Sequence, residues 1–305
     1  MKKEYDIIII GSGPAGLTAG IYAGRYLMKT LIIGKHPGGT ASEAWKVCNY
    51  PGFETIPGGE LMGKVMEQVK KLGVEIVMDE IHDIHRGKDG FKVSSDKAEY
   101  RGKKIILALG TEKSTLGAKN EKKFLGKGIS YCATCDAAFF KDKVAAVVGG
   151  SNAALTAALL LSEFAKKVYI IYRKDRFFRP EKAWIKMVED NRKIQTIFNS
   201  KVVEVTGDQF LGKVKLDSGK ELETDGLFIE IGSLPNTELI EKLDLDREGR
   251  FIKTDKGQRT SMHGVFAAGD VTKNPLKQIV VAAGEGAIAA DSAYRELQEE
   301  QAKKK

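Results

Sequence analysis

The chain has 305 residues, 42% hydrophobic and 30% charged, a balance that excludes disordered, collagen-like and disulfide-scaffold proteins and suggests about two domains at roughly 100 to 200 residues each. No apolar run approaches the roughly 20 residues that span a bilayer, and the longest, 7–10 and 144–148, are strand-sized. The formal charge of +8 (49 basic, 41 acidic) is scattered apart from the tail 303–305 and lacks aromatic-interleaved basic stripes, so it reads as a solvated surface, with neither a nucleic-acid nor a membrane partner expected.

Residues 1–6 carry no apolar stretch of signal-peptide length and no cleavage site, which predicts a cytoplasmic protein. A strand over 5–10, a glycine turn over 11–16, an apolar helix to about residue 24 and a second strand over 30–33 form a βαβ opening. The turn, Gly11-Ser12-Gly13-Pro14-Ala15-Gly16, fits the dinucleotide fingerprint. Its first glycine makes the tight turn, the second admits a pyrophosphate, and the third lets helix and strand pack, while the helix N-terminus offers free N–H groups. No acid ends the second strand, where Gly34, Lys35 and His36 stand, so ribose recognition there has no assigned residue.

A helix over 61–72 and short strands over 74–77, 91–94 and 105–109 come next. Cys132-Ala133-Thr134-Cys135 is a C-x-x-C pair. With only Cys48 and four dispersed histidines to complete a zinc site, it reads as a redox dithiol, and no metal is expected. Such spacing lowers a thiol pKa and supplies a thiolate for disulfide exchange. Asp136 is either the local proton donor and acceptor or a helix N-cap, and Cys48 reads as a buried small hydrophobe.

A second βαβ copy follows, with a strand over 144–148, the turn Gly149-Gly150-Ser151, a helix over 152–165 and a strand over 168–171. Ser151 replaces the second motif glycine and would crowd a pyrophosphate. Arg173, Lys174, Arg176 and Arg179 then stand where NAD enzymes carry an acid, which suits the 2′-phosphate of NADP or simply a solvated strand exit. Strands over 201–205, 213–216 and 227–231 and an alanine-rich helix over 278–297 complete the chain. Boundaries near 112–117 and 232–236 give an α/β fold of two Rossmann-like, three-layer nucleotide-binding domains, the second inserted into the first: 1–114, 115–238 and 239–305.

The glycine motif, the inserted second βαβ and Ser130-Tyr131-Cys132-Ala133-Thr134-Cys135-Asp136 just before it resemble the low-molecular-weight thioredoxin reductases, within the FAD-dependent pyridine nucleotide-disulfide oxidoreductases. Further blocks agree in order: Gly38-Gly39, Asn49 to Gly52, Ala108 to Thr111, Gly232 to Asn236, Val265 to Val271 and Lys277 to Ile279. The resemblance implies that FAD lies along Gly11, Ser12, Gly13, Pro14 and Ala15, with Gly38, Gly39, Asn49, Gly110, Gly269, Asp270, Lys277, Gln278 and Ile279 completing its site. It implies NADPH beside Gly149, Gly150, Ser151, Asn152, Arg173, Lys174 and Arg179. It also implies that Cys135 faces the flavin while Cys132 exchanges with thioredoxin or a glutaredoxin-like protein, with Asp136 as acid, in a homodimer. The chain departs from the family pattern at Thr40, Cys48, Ser151, Thr156, Ala157 and Tyr172.

The expected activity is therefore reduction of thioredoxin by NADPH through FAD and the Cys132–Cys135 disulfide, with dithiol and nicotinamide taking turns at the flavin by rotation of the inserted module. Three alternatives share these residues: a reductase drawing on ferredoxin or a reduced deazaflavin, a flavin-dependent dithiol oxidase, and a non-catalytic nucleotide sensor.

Overall fold

The computed structural model describes residues 4–44, 46–177, 180–235 and 238–303. The chain forms two compact units, residues 1–112 with 234–305, and residues 113–233. The first passage through unit 1 runs β1 Glu4–Ile10, α1 Pro14–Arg25, β2 Thr30–Gly34, α2 Gly58–Lys71, β3 Glu75–Met78, β4 Ile81–Gly87, β5 Gly90–Ser95, β6 Glu99–Leu107 and β7 Glu112–Lys113. Unit 2 follows with α3 Glu121–Phe124, β8 Ile129–Ser130, α4 Ala133–Asp136, β9 Val144–Val148, α5 Asn152–Phe164, β10 Lys167–Ile171, α6 Lys182–Glu189, β11 Ile194–Ile197, β12 Val202–Gly207, β13 Leu211–Leu216, β14 Glu221–Glu223 and β15 Gly226–Ile229. The chain returns through β16 Ser233–Leu234, α7 Glu238–Lys242, β17 Arg247–Glu248, β18 Phe251–Ile252, β19 Val265–Ala267 and α8 Ile279–Ala302. The two passages between units, β7 and β16, pair as a short ribbon.

In unit 1 the sheet order is β3-β2-β1-β6-β5-β4, with β19 also on β6. β3, β2, β1, β6 and β19 are parallel, whereas β5 and β4 add antiparallel. The four isoleucines of β1 are consecutive because both faces of the strand are covered. Ile7 and Ile9 pack with Leu17, Leu61 and Ala289 on the helical side, and Ile8 and Ile10 pack with Leu31, Ile33, Phe91 and Val265 on the other.

The turn after β1 is set by backbone crowding. Gly11 has φ +117°, and a Cβ there would lie 2.0 Å from the Ala108 carbonyl oxygen. A Cβ on Gly16 would lie 1.8 Å from the Gly11 oxygen, and one on Gly286 of α8 would lie 2.1 Å from the Ala15 oxygen. No L side chain fits at these three contacts, so α1 lies directly between the ends of β1 and β6 and the flank of α8.

Unit 2 repeats the plan with a parallel sheet ordered β11-β10-β9-β15-β8, α5 crossing from β9 to β10, and a separate antiparallel meander β12-β13-β14. Its core includes Phe124, Val148, Ile171, Val205, Val214 and Ile229.

Several elements differ from the sequence reading. β6 starts at Glu99, six residues before the apolar run, because its first half alternates: Glu99, Arg101 and Lys103 are exposed, while Tyr100, Gly102 and Lys104 face inward. β15 ends at Ile229 and leaves Ile231 exposed, and β4, α6 and β11 were not anticipated. α6 turns Trp184, Ile185 and Val188 inward at helical spacing, but its eight residues are too few for the period to stand out in a longer window. α8 runs on to Ala302 through strong helix formers. Cys48 is not a core residue: it is exposed and donates to Thr55 Oγ1 at 3.7 Å. The reason is local pairing, since Val47 bridges Ile56 and faces the core, which turns the next side chain outward.

Lys104 is the largest polar side chain in the core of unit 1, 2% exposed, with Nζ 2.5 Å from both Glu296 and Glu300 of α8. His263 adds contacts of 3.2 and 3.6 Å to the same two acids. Replacing one partner of a buried ion pair leaves its counterpart uncompensated. Lys104→Met is expected to destabilise the protein by about 3 kcal/mol in guanidinium titrations, with unchanged cysteine reactivity in unit 2.

Candidate active site

In unit 1 the glycine turn delivers an unspent helix N-terminus. Gly13 is the N-cap of α1 and offers no side-chain cap, Pro14 occupies the first helical position, and the first turn holds no acid. Free N–H groups at the positive end of a helix dipole suit a phosphate. The Ser12 hydroxyl is turned elsewhere. It is buried and donates to the His36 carbonyl at 2.7 Å, fixing the segment after β2. Gly38, at φ +78°, opens the tight turn 39–43, and the backbone at Gly39 stands opposite Gly13.

The remaining expected flavin residues come from the return passage. Asn49 Nδ2 donates to Gln278 Oε1 at 3.0 Å, so two positions 229 residues apart in the chain meet at the start of α8, whose first residue is Ile279. Gly110 turns the chain at φ +62° two residues after Ala108. Lys277 Nζ donates to the carbonyls of Asp270 and Thr272 at 2.8 and 2.5 Å. Burial raises the Asp270 pKa, with the Lys277 charge opposing and the Glu285 charge adding to the rise. Burial lowers that of Lys277 against the pull of Asp270 and Glu285. The sequence reading missed Glu285, whose carboxylate accepts from Gly269 N–H, Thr272 Oγ1 and Asn274 Nδ2. Its only signal was an acid inside an alanine- and glycine-rich helix.

The donor set fits FAD. The uncapped helix end matches a pyrophosphate, and the carboxylate at Asp270 matches sugar hydroxyls.

In unit 2 Cys132 and Cys135 form a disulfide. Cys132 is the N-cap of α4, and its Sγ accepts the Cys135 N–H at 3.2 Å. Asp136 ends α4 and makes no side-chain cap to the turn 137–140, so the capping role falls to the cysteine. The segment leading into Cys132 is held from behind. Buried Glu121 accepts from the N–H groups of Leu116 and Gly117 at 2.9 and 2.7 Å and from Tyr131 Oη at 2.6 Å. Burial, then the bond to Glu121, raises the pKa of Tyr131. Ser130 Oγ accepts the Cys132 N–H at 3.0 Å. Cys135 is exposed and Cys132 half-buried.

The second glycine turn is covered. A Cβ on Gly150 would lie 2.3 Å from the Tyr172 ring, so the buried tyrosine stands directly against the turn. That ring stacks on Phe177 with centroids 5.8 Å apart, and Phe177 meets Phe198 edge-on at 5.0 Å. Ser151 is the N-cap of α5 without a side-chain bond. Asn152 is engaged with residue 181: its Nδ2 donates to Glu181 Oε1 at 2.9 Å and its Oδ1 accepts the Glu181 N–H at 2.8 Å. Arg173, Lys174 and Arg176 are exposed, while Arg179 and Asn236 lie outside the described residues.

The family model of the pyridine nucleotide-disulphide oxidoreductases matches residues 5–286. The thioredoxin reductase of Bacillus subtilis is 39% identical over 98% of this chain and 96% of its own length. The crystal structure of Lactococcus lactis thioredoxin reductase superposes with a TM-score of 0.93 at 36% identity, covering 97% of this chain and 99% of that one. The crystal structure of T. acidophilum thioredoxin reductase gives 0.92 at 36% identity, covering 97% and 100%.

The folded protein holds the Asp270 proton more tightly than the unfolded chain does, so this group penalises folding increasingly as pH rises from the unfolded value of 3.8 through the folded one. Asp270→Asn is therefore expected to raise the melting temperature of the cofactor-free protein at pH 7, and the gain should fade as pH approaches 4. A melting temperature lower than wild type at pH 7 would contradict the burial argument.

Proposed function

The chain belongs to the pyridine nucleotide-disulphide oxidoreductase family, and from that premise we infer that it is an FAD-dependent thioredoxin reductase. The observation that carries the reading is the Cys132–Cys135 disulfide capping a helical turn in a chain that matches such reductases over nearly its whole length. FAD, when bound, accepts a hydride and passes two electrons to a disulfide. Everything else falls to the protein.

In unit 1 the start of α1 receives the pyrophosphate, Asp270 takes sugar hydroxyls, and Asn49, Lys277, Gln278 and Ile279 border the site. In unit 2 the dithiol acts by exchange. Cys132, whose sulfur accepts a backbone N–H, attacks a sulfur of oxidised thioredoxin or a glutaredoxin-like protein and expels the partner's other sulfur as a thiol. Cys135 then attacks Cys132, releasing the reduced partner and restoring the 132–135 disulfide. Asp136 holds the proton given to the leaving thiol. The expected assembly is a cytoplasmic homodimer of the 33.4 kDa chain, and no described helix is long and apolar enough to cross a membrane.

The donor in the first reading is NADPH, held at Gly149, Gly150, Ser151 and Asn152 with Arg173, Lys174 and Arg179 toward its 2′-phosphate. A second reading is favoured by one observation, the Tyr172 ring against Gly150 beside an Asn152 already paired with Glu181. In it, electrons reach the flavin from a donor that does not use the second turn, such as ferredoxin or a reduced deazaflavin.

Anaerobic spectra separate these readings. Bleaching of the bound flavin by NADPH within seconds supports the first. Under the second, the wild-type flavin stays oxidised with NADPH and NADH yet is reduced by dithiothreitol through the cysteine pair, and Tyr172→Ala gains NADPH bleaching. Cys135→Ser should abolish thioredoxin reduction while retaining FAD. Thioredoxin turnover by that variant at the wild-type rate would rule out the disulfide route altogether.

A further inference from the structure

The turn that carries Asp270 is tied down by the helix that follows it, α8. It leaves β19, passes Gly269 and Asp270, and reaches Asn274 before α8 begins at Ile279. A side chain on Gly269 would meet Ala15 at the start of α1, so the turn lies against the helix end that receives the pyrophosphate. Seven residues into α8, Glu285 points back at it. One carboxylate oxygen accepts the Gly269 N–H at 2.7 Å and the Thr272 hydroxyl at 3.2 Å, and the other accepts the Asn274 amide. The Thr272 hydroxyl also lies 2.8 Å from the Gly269 carbonyl, and Lys277 closes the far side through the carbonyls of Asp270 and Thr272.

Three donors from 269–274 thus converge on one acid, and the bond to Gly269 is immediately before Asp270 in the chain. Hydrogen bonds to a charged acceptor are about twice as strong as neutral ones. A single side chain on a rigid helix therefore restrains both ends of the turn. From the sheet side, the Ala268 N–H reaches the Leu107 carbonyl at 3.0 Å and Ile252 pairs with Val271 and Lys273, which leaves the Gly269 N–H to Glu285.

We propose that Glu285 is the positioning residue of the flavin site: from α8 it fixes the Gly269–Asp270 turn and so sets where the Asp270 carboxylate stands. The proposal rests on the reading of Asp270 as a flavin contact. Its charged neighbours are Lys277 and Glu285. Glu285 acts through Asp270 and not on the flavin itself, which gives a signature that a merely structural residue lacks.

The test compares FAD affinity in cofactor-free wild type, Glu285→Gln, Asp270→Asn and the double variant, read by quenching of FAD fluorescence, alongside thermal melts of each apoprotein. Glu285→Gln is expected to weaken FAD binding about ten-fold, the equivalent of one charged hydrogen bond of about 1.4 kcal/mol, and by less than about three-fold in the Asp270→Asn background. It should also move the pH at which affinity falls to a lower value, because Asp270 loses a neighbouring negative charge.

Equal losses in both backgrounds, or an unshifted pH profile, would overturn the proposal, as would loss of FAD accompanied by an equally destabilised apoprotein. If Asp270→Asn alone leaves affinity unchanged, the assignment of Asp270 falls and the proposal with it. If wild type takes up no FAD, the flavin reading of the chain fails first.

Discussion

Unit 1 depends on one steric constraint, the meeting of backbone with backbone where β1, β6, α1 and α8 converge. Gly11 against Ala108, Gly16 against Gly11 and Gly286 against Ala15 leave no room for even a methyl group. Such contacts draw the start of α1 down to the sheet, and the helix dipole then opens onto the same crevice that Asp270 and the 38–39 loop border. Hydrophobic burial supplies the driving force on both faces of β1, but burial is non-directional. The glycines decide where the helix end stands.

The two nucleotide-type turns show how the same scaffold diverges. In the first, Ser12 is turned away to the His36 carbonyl and the N-terminus of α1 carries no side-chain cap. In the second, the corresponding neighbourhood is filled from within: Tyr172 packs on Gly150, and Asn152 and Glu181 exchange two hydrogen bonds. A parallel sheet with a crossing helix is common to both. The difference lies in side chains that follow the second strand of each unit, which is where ribose and 2′-phosphate recognition is decided in this architecture.

Much of this was legible in the sequence because the decisive signals are local. A buried isoleucine run, a glycine turn and an apolar helix follow each other within thirty residues, and C-x-x-C spacing declares its chemistry without help from the fold. What escaped was whatever depends on distant partners. Lys104 looks like a surface residue until Glu296 and Glu300 arrive from α8. Cys48 looks like a core residue until the Val47–Ile56 bridge fixes its parity. Glu285, Glu121 and the Asn152–Glu181 pair are acids or amides whose role is defined by backbone groups that no periodicity predicts. The ring of Tyr172 belongs to the same class, since a departure from a family pattern does not say where the larger side chain will rest.

Helix α8 supplies Gly286 to the α1 contact, two carboxylates to Lys104 and one to the Gly269 turn, yet it is separated from β1 by most of the chain. Unit 2, by contrast, is a single uninterrupted stretch, residues 113–233. Domains fold as units as they leave the ribosome, at roughly 5 to 20 residues per second. The inserted unit has all its strands in hand while the enclosing one still waits for its closing helix. Vectorial synthesis therefore completes the dithiol-bearing half before the enclosing half is able to close.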